Sequence, residues 1–409
     1  MKKLFRIKKS AIFILFFVIL LSLIGCSSLN VAADKNQTTA VSATVQSGGY
    51  DFSKLDQLMQ RHAAESDLEG FTILLKKDGK VIFEKAYGNY SLDQMQPIAS
   101  GTKWLSTSVI MTLVDDGLLS LDDPVSKYLP QFTGVTGKAT IRMLLSHTSG
   151  LPDLRYNLTP VLLKKVMENS SSLAESVNII AELANKSGEI NPVKEPGTVF
   201  GYGEHSMQVA ARIAEVVSGK PWKELFQEKI AGPLGMTNTN YNLSYVNWYI
   251  SGLPSTYGKP TKTPLIASGA WSNMQDYDKF LTMILNKGKY NGKQVLSADS
   301  VSEMLKNQYD KTEIIYSPYG QYESINPGVS QTRYGLGNWH EVMDPKTGQA
   351  LVASCQGAFG FSPWVDFRNN VTGVFLTKST LKEVYPFYTE IRKVVDAIVS
   401  SQPASTTKN

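Results

Sequence analysis

Runs with strand character stand at both ends of the folded part of the chain, and long amphipathic helices fill the middle. Near the start, Phe71-Thr72-Ile73-Leu74-Leu75 and Val81-Ile82-Phe83 flank Asp78-Gly79, the pattern of two strands joined by a tight turn. Near the end, Leu351 to Cys355, Trp364 to Phe367 and Val371 to Thr377 read as strands, with a turn at Arg368-Asn369-Asn370 and a helix from Leu381 to Ser400. Residues 51–66 read as a helix, and segments 174–186, 206–218 and 275–287 carry apolar residues at helical spacing between Gly, Pro and Asn clusters. Such an order predicts an α+β fold: one antiparallel sheet formed by the two chain ends and flanked by helices, with an inserted, mainly helical lobe and a cleft between the two.

The ends of the sequence divide it further. Lys2, Lys3, Arg6, Lys8 and Lys9 precede an unbroken apolar stretch from Ala11 to Leu21 and then Ser22-Leu23-Ile24-Gly25-Cys26, the pattern of a secretory signal peptide over residues 1–25. Residues 26–50 are rich in Ser, Thr, Ala, Asn and Gln and read as a flexible linker. A single domain over 51–400 and a polar tail over 401–409 complete the plan. The formal charge of +5 falls to zero when the five cations of residues 1–25 are removed, so no basic surface for nucleic acid is expected. Cys26 and Cys355 are the only cysteines, and once Cys26 is used the rest cannot form an internal disulfide, so the core must carry stability. His62, His147, His205 and His340 are scattered at spacings unlike a metal site, so no metal and no cofactor are expected.

Chemistry concentrates at Ser100-Gly101-Thr102-Lys103. Trp104, Leu105, Val109, Ile110, Leu113 and Val114 follow at three- and four-residue spacing, which reads as a helix packed into the core. Lys103 lies one turn after Ser100. An amine there, partly desolvated and close to the positive end of the helix dipole, is expected to have a depressed pKa and to take the serine proton. The same four-letter spacing occurs at Ser379 to Lys382, in a turn before the last helix, and at Ser405 to Lys408, in the polar tail. Only Ser100 opens a long buried helix. Lys103→Ala is expected to slow acylation by orders of magnitude with little loss of fold.

With these residues in place, the chain resembles, over about 51–400, the serine β-lactamase and penicillin-binding-protein superfamily, in the branch of class C β-lactamases, D-alanyl-D-alanine peptidases and related esterases. Leu119 to Val125, Leu144 to Leu151, Pro196-Gly197-Thr198-Val199-Phe200-Gly201-Tyr202, Pro233 to Met236 and Tyr334-Gly335-Leu336-Gly337 are similar to the branch's segments and follow in its order. Leu23-Ile24-Gly25-Cys26 resembles the lipobox of bacterial lipoproteins, which implies lipidation at Cys26 and an extracytoplasmic body tethered to a membrane. The superfamily resemblance implies that Ser100 is the acylated nucleophile, Lys103 the activating amine and Tyr202 a proton shuttle. It also places the oxyanion between the backbone N–H groups of Ser100 and of the strand near Ala358.

Two positions depart from the branch. Its Tyr-x-Asn reads Tyr202-Gly203-Glu204 here, and its Lys-Thr-Gly or His-x-Gly reads Cys355-Gln356-Gly357. The first loses an amide that would hydrogen-bond an acyl side chain, and the second loses a cation that would pair with a substrate carboxylate. Glu204, Gln356, Gly357 and Ala358 are therefore candidate substrate-binding residues, and a carboxylic ester is the expected substrate. The alternatives are a D-alanyl-D-alanine carboxypeptidase or β-lactamase acting on peptides or β-lactams, and a binding module without turnover. Cys355 reads as a small buried strand residue, His147 as structural, His205 as a residue on the surface or behind the site, and Tyr316, Tyr319 and Tyr322 as an ordered surface loop, with an aromatic lid over the cleft as the alternative.

Overall fold

The computed structural model describes residues 43–44, 48–151, 166, 170–186, 193–241, 262–308, 312–322, 324 and 333–401. The signal segment, Cys26, nearly all of the linker and the tail beyond Ser401 lie outside the described residues.

Eight strands form one sheet: β1 (Ala43–Thr44), β2 (Gly70–Lys77), β3 (Lys80–Gly88), β4 (Arg333–Tyr334), β5 (Trp339–Met343), β6 (Ala350–Ser354), β7 (Ser362–Asp366) and β8 (Val371–Thr377). Their order is β1-β3-β2-β8-β7-β6-β5-β4, antiparallel throughout. The β2–β8 ladder runs from Phe71 opposite Thr377 to Val371 opposite Lys77, so the two chain ends meet in the middle of the sheet, as the sequence predicts. Asp78 and Gly79 make the β2–β3 turn with φ of +50° and +74°, the left-handed pair that suits the twist of a two-residue hairpin.

Both faces of the sheet are covered. Along β2 the side chains alternate between two cores: Leu74 joins one, while Phe71, Ile73 and Leu75 join the other. The second core is closed by α1 (Ser53–Glu65) and α5 (Leu381–Ser400), which starts in a capping box between Thr380 and Glu383. The first core holds α2 (Thr102–Asp115), α3 (His205–Ser218) and α4 (Met274–Leu285).

The sequence predicts an apolar face for α2; the structure buries the helix all round. Trp104, Leu105, Val109, Ile110 and Leu113 have no exposed surface, at roughly 1.5–3 kcal/mol each for large apolar side chains. Ser106, Thr107 and Ser108 on the other side are equally buried. Ser106 Oγ donates to the Ile266 carbonyl at 2.6 Å, and Ser108 Oγ to the Trp104 carbonyl at 3.0 Å. A helix fixed on every side is a rigid mount for whatever stands at its start.

Candidate active site

Ser100 sits in a single 3₁₀ turn (Ala99–Gly101) that leads directly into α2. The preceding Ala99 has φ +44°, a left-handed conformation that is costly for a residue with a Cβ and is held only by its surroundings. Three bonds hold this turn. The Ala270 N–H donates to Thr102 Oγ1 at 3.1 Å, Tyr277 OH donates to the Gly101 carbonyl at 2.7 Å, and the Cys355 thiol donates to the Ser100 carbonyl at 3.0 Å. Ser100 itself is half-buried and Ala358 is exposed, so the turn borders open solvent.

Lys103 has no exposed surface. Its Nζ lies 3.3 Å from Ser100 Oγ, 3.2 Å from Glu204 Oε1 and 3.1 Å from the Ala267 carbonyl, and 4.5 Å from the centre of the Tyr202 ring. Three acceptors match the three N–H donors of an ammonium. The branch departure at position 204 thus points inward: its carboxylate forms a buried ion pair with the lysine, the side chains being 0% and 6% exposed. The other oxygen, Oε2, accepts from Ser268 Oγ at 2.6 Å.

This burial corrects one expectation. Removing the Lys103 amine would leave the Glu204 carboxylate inside the protein without its cation, so Lys103→Ala must cost stability as well as activity.

The ordered segments read from the sequence prove to be the frame of this site. His147 has φ +59°, its carbonyl accepts from the Gly201 N–H at 2.9 Å, its Nδ1 lies 3.3 Å from Ser206 Oγ, and its ring lies 4.7 Å from that of Tyr202. The Gly197 N–H donates to the Thr148 carbonyl at 2.8 Å, so the loop after α2 carries the strand Val199–Gly201 that delivers Tyr202. Gly337 has φ +75°, and a Cβ there would stand 2.8 Å from the Lys103 carbonyl and 2.3 Å from Thr107 Oγ1; a glycine is needed for the chain to pass this close to α2. His205 is buried at the first turn of α3.

The turn between β6 and β7 brings Gln356, Gly357 and Ala358 beside Ser100: a Cβ on Gly357 would stand 2.2 Å from the Ile98 carbonyl and 3.2 Å from Ala99 Cβ. Gln356 is engaged at both ends of its amide. Its Oε1 accepts from Tyr319 OH, and its Nε2 donates to Glu341 Oε1 at 3.3 Å. Glu341 in turn accepts from Tyr388 OH at 2.6 Å and from Arg392 at 3.0 Å, with the Arg392 guanidinium 4.7 Å from the Trp364 ring. Cys355 is fully buried, and desolvation pushes its thiol up to about 12, partly offset by the Lys103 charge; it is no thiolate nucleophile at neutral pH.

Two groups were not legible in the sequence. Segment 264–270 supplies the Ala267 carbonyl and Ser268, and it is anchored by Ser106 and by Gln208, whose Oε1 accepts from the Ile266 N–H at 2.8 Å and whose Nε2 donates to the Pro264 carbonyl at 3.1 Å. Tyr319 and Tyr322, expected in a surface loop, are each 3% exposed and pack on Trp339 and Tyr385. The strand before them, Glu313–Tyr316, pairs in parallel with Val199–Gly201, and the Tyr202 N–H donates to the Tyr316 carbonyl at 3.1 Å. Among the described residues no three His, Cys, Asp or Glu side chains gather as a metal site.

A serine and a buried lysine one turn apart, beside a tyrosine and under an antiparallel sheet, define a class, and the sequence profile of the Beta-lactamase family matches residues 55–393. The chain belongs to the Beta-lactamase family and is a serine hydrolase. It is similar to the D-alanyl-D-alanine-carboxypeptidase/endopeptidase AmpH of Escherichia coli K12, 25% identical over 329 residues that cover 76% of this chain and 78% of that protein. A crystal structure from Bacteroides dorei DSM 17855, provisionally titled a beta-lactamase, is 32% identical and covers 86% of this chain and all of its own, with a TM-score of 0.72. EstCE1, titled a hydrolase with promiscuous acyltransferase activity, shares the fold at a TM-score of 0.64 and 21% identity, covering 84% of this chain and 97% of its own.

Proposed function

We propose that the chain hydrolyses carboxylic esters through an acyl-enzyme on Ser100. The observation that carries this reading is the 3.3 Å approach of the buried Lys103 Nζ to Ser100 Oγ. Ser100 Oγ attacks the ester carbonyl carbon as Lys103 receives its proton, and the carbonyl electron pair becomes an oxyanion facing the backbone N–H groups of Ser100 and Ala358. The alkoxide leaves with a proton returned by way of Tyr202. Water then repeats the sequence on the acyl-enzyme and releases the acid. Gly357 lets the strand approach the turn, and Gln356 fixes that strand from behind.

An ester is favoured over a β-lactam or a peptide by the two departures. Both Glu204 oxygens are acceptors already engaged by Lys103 and Ser268, so no amide N–H stands at position 204 for an acyl side chain. Cys355 stands where the branch has its cation for a substrate carboxylate, and it is buried and uncharged. The second reading is a D-alanyl-D-alanine carboxypeptidase or β-lactamase, favoured by the likeness to AmpH across 76% of the chain. On either reading we place the domain at 51–400, outside the cytoplasm, held to the membrane by a lipid on Cys26 after removal of residues 1–25, with residues 26–50 as the tether.

The test is the intact mass of the protein and of Ser100→Ala after brief mixing with a short-chain activated ester or with a penicillin. Turnover or an adduct that needs Ser100 with the ester and not with the penicillin is the expected result. A stable penicillin adduct would select the second reading, and no Ser100-dependent reaction with either would refute both.

A further inference from the structure

We propose that Glu204 is a working proton acceptor of this site, completing a relay from Ser100 through Lys103; this rests on the serine-hydrolase chemistry proposed above and deepens it. Lys103 directs its amine at three acceptors, Ser100 Oγ, Glu204 Oε1 and the Ala267 carbonyl, at 3.1–3.3 Å. An amine holding three protons has no lone pair with which to take a fourth. One must leave before or as the serine proton arrives. Of the three acceptors, Ser100 is the group to be deprotonated and Ala267 offers a peptide carbonyl, which is far too weak a base. Glu204 Oε1, a carboxylate oxygen 3.2 Å from the amine, is the basic group among these three.

The surroundings of the carboxylate suit that role. Ser268 Oγ donates to Oε2 at 2.6 Å and so turns Oε1 toward the amine. Glu204 is 5% exposed and Lys103 fully buried, so a proton passed between them stays out of water. Glu204 is met by Lys103 from α2 and by Ser268 from segment 264–270; the other titratable groups nearby along the chain are Tyr202, whose ring lies 4.5 Å from Lys103 Nζ, and His205, with the His147 ring 4.7 Å from that of Tyr202. Lys103 is the cation paired with it. An amide at position 204 could hold the same lysine by a hydrogen bond, but it could not accept its proton.

The steps balance. As the Ser100 Oγ–carbon bond forms and the carbonyl π pair moves to oxygen, the Ser100 proton passes to Lys103 Nζ and one Nζ proton passes to Glu204 Oε1. When the oxyanion collapses and the carbon–alkoxy bond breaks, the leaving oxygen receives a proton from Lys103 by way of Tyr202, and Glu204 returns its proton to Nζ. Deacylation runs the same course with water in place of Ser100 as the proton donor and Ser100 as the leaving oxygen. At low pH a carboxyl group at 204 is already protonated and acylation stops, which makes Glu204 the source of an acid limb in kcat/KM.

The experiment compares full-length wild type, Glu204→Gln, Glu204→Asp and Ser268→Ala with p-nitrophenyl acetate, by pre-steady-state burst and by kcat/KM from pH 4 to 9, with thermal melting of each variant. The expected result is an acylation rate in Glu204→Gln lower by roughly 10²–10⁴-fold, the range for losing a positioned acid–base group, with KM little changed and the acid limb gone. Glu204→Asp keeps the limb and part of the rate. Ser268→Ala moves the limb to higher pH, because the carboxylate loses a hydrogen bond that favours its charged form. A Glu204→Gln variant that acylates within about threefold of wild type with its acid limb intact overturns the relay, and so does an unmoved limb in Ser268→Ala should Glu204→Gln fail to fold. Absence of a Ser100-dependent burst in wild type would instead overturn the hydrolase chemistry beneath it.

Discussion

Gly357→Ala tests the geometry of the site without altering any group that reacts. A Cβ built at this position meets the Ile98 carbonyl oxygen at 2.2 Å and Ala99 Cβ at 3.2 Å, while ordinary contact begins at 3.4 Å. The obstacle is backbone and cannot rotate away. Ile98 is itself fixed, since its N–H donates to the Ala270 carbonyl at 3.0 Å and its carbonyl accepts from Gly101 at 2.9 Å. The β6–β7 turn must therefore retreat from Ser100 by about 1 Å, carrying the Ala358 N–H with it. A displacement of that size costs on the order of 10²-fold in rate, and losing one oxyanion donor costs about 10²–10³-fold, or roughly 3–4 kcal/mol of transition-state stabilisation. The assay is kcat and KM on a short-chain p-nitrophenyl ester beside the melting temperature. The expected outcome is a loss of about 100-fold or more in kcat with KM little changed. A variant that folds with wild-type kcat would refute the placement of Ala358 at the oxyanion, whatever the fate of the Ser100 and Lys103 assignments.

Two further outcomes follow from burial. Lys103→Met should destabilise by roughly 3–5 kcal/mol, because it strands a buried carboxylate, and Lys103→Met/Glu204→Gln should recover most of that loss; urea unfolding of the single and double variants measures the coupling, and a stable single variant would contradict the ion pair. His340 is buried, and desolvation pushes its pKa down to about 3, so the fold keeps it neutral while the unfolded chain binds a proton below about pH 6.5. Its contribution to stability is therefore complete above pH 6.5 and is lost as pH falls toward 3, by about 2 kcal/mol at pH 5, and His340→Gln should flatten that part of the stability–pH curve.

The fold was legible because its signals are local. Short apolar runs along β2 and β8, Asp78-Gly79 between two strands, and helical spacing in 206–218 and 275–287 depend on neighbours in the chain, and the structure has α3 at His205–Ser218 and α4 at Met274–Leu285. The nucleophile pair was legible for the same reason: Ser100 and Lys103 are one helical turn apart, and an apolar run marks the helix as buried. Glu204 was visible as a departure from a pattern, but the direction of its side chain was not. That direction follows from Ser268 and Lys103, 64 and 101 residues away in sequence.

What the sequence determined by itself is the set of elements and the chemistry of each residue: a sheet closed by the chain ends, a serine and a lysine at the head of a buried helix, and a glutamate where the pattern it resembles has an amide. Tertiary structure alone decided which distant groups share the site. The Ala267 carbonyl reaches Lys103 because Ser106 and Gln208 hold segment 264–270 against two helices. Tyr319 leaves the surface to bind Gln356 because Trp339 and Tyr385 offer it an apolar seat. Hydrogen bonds and packing between remote segments leave no periodicity along the chain, so these contacts exist only once the backbone has brought the segments together.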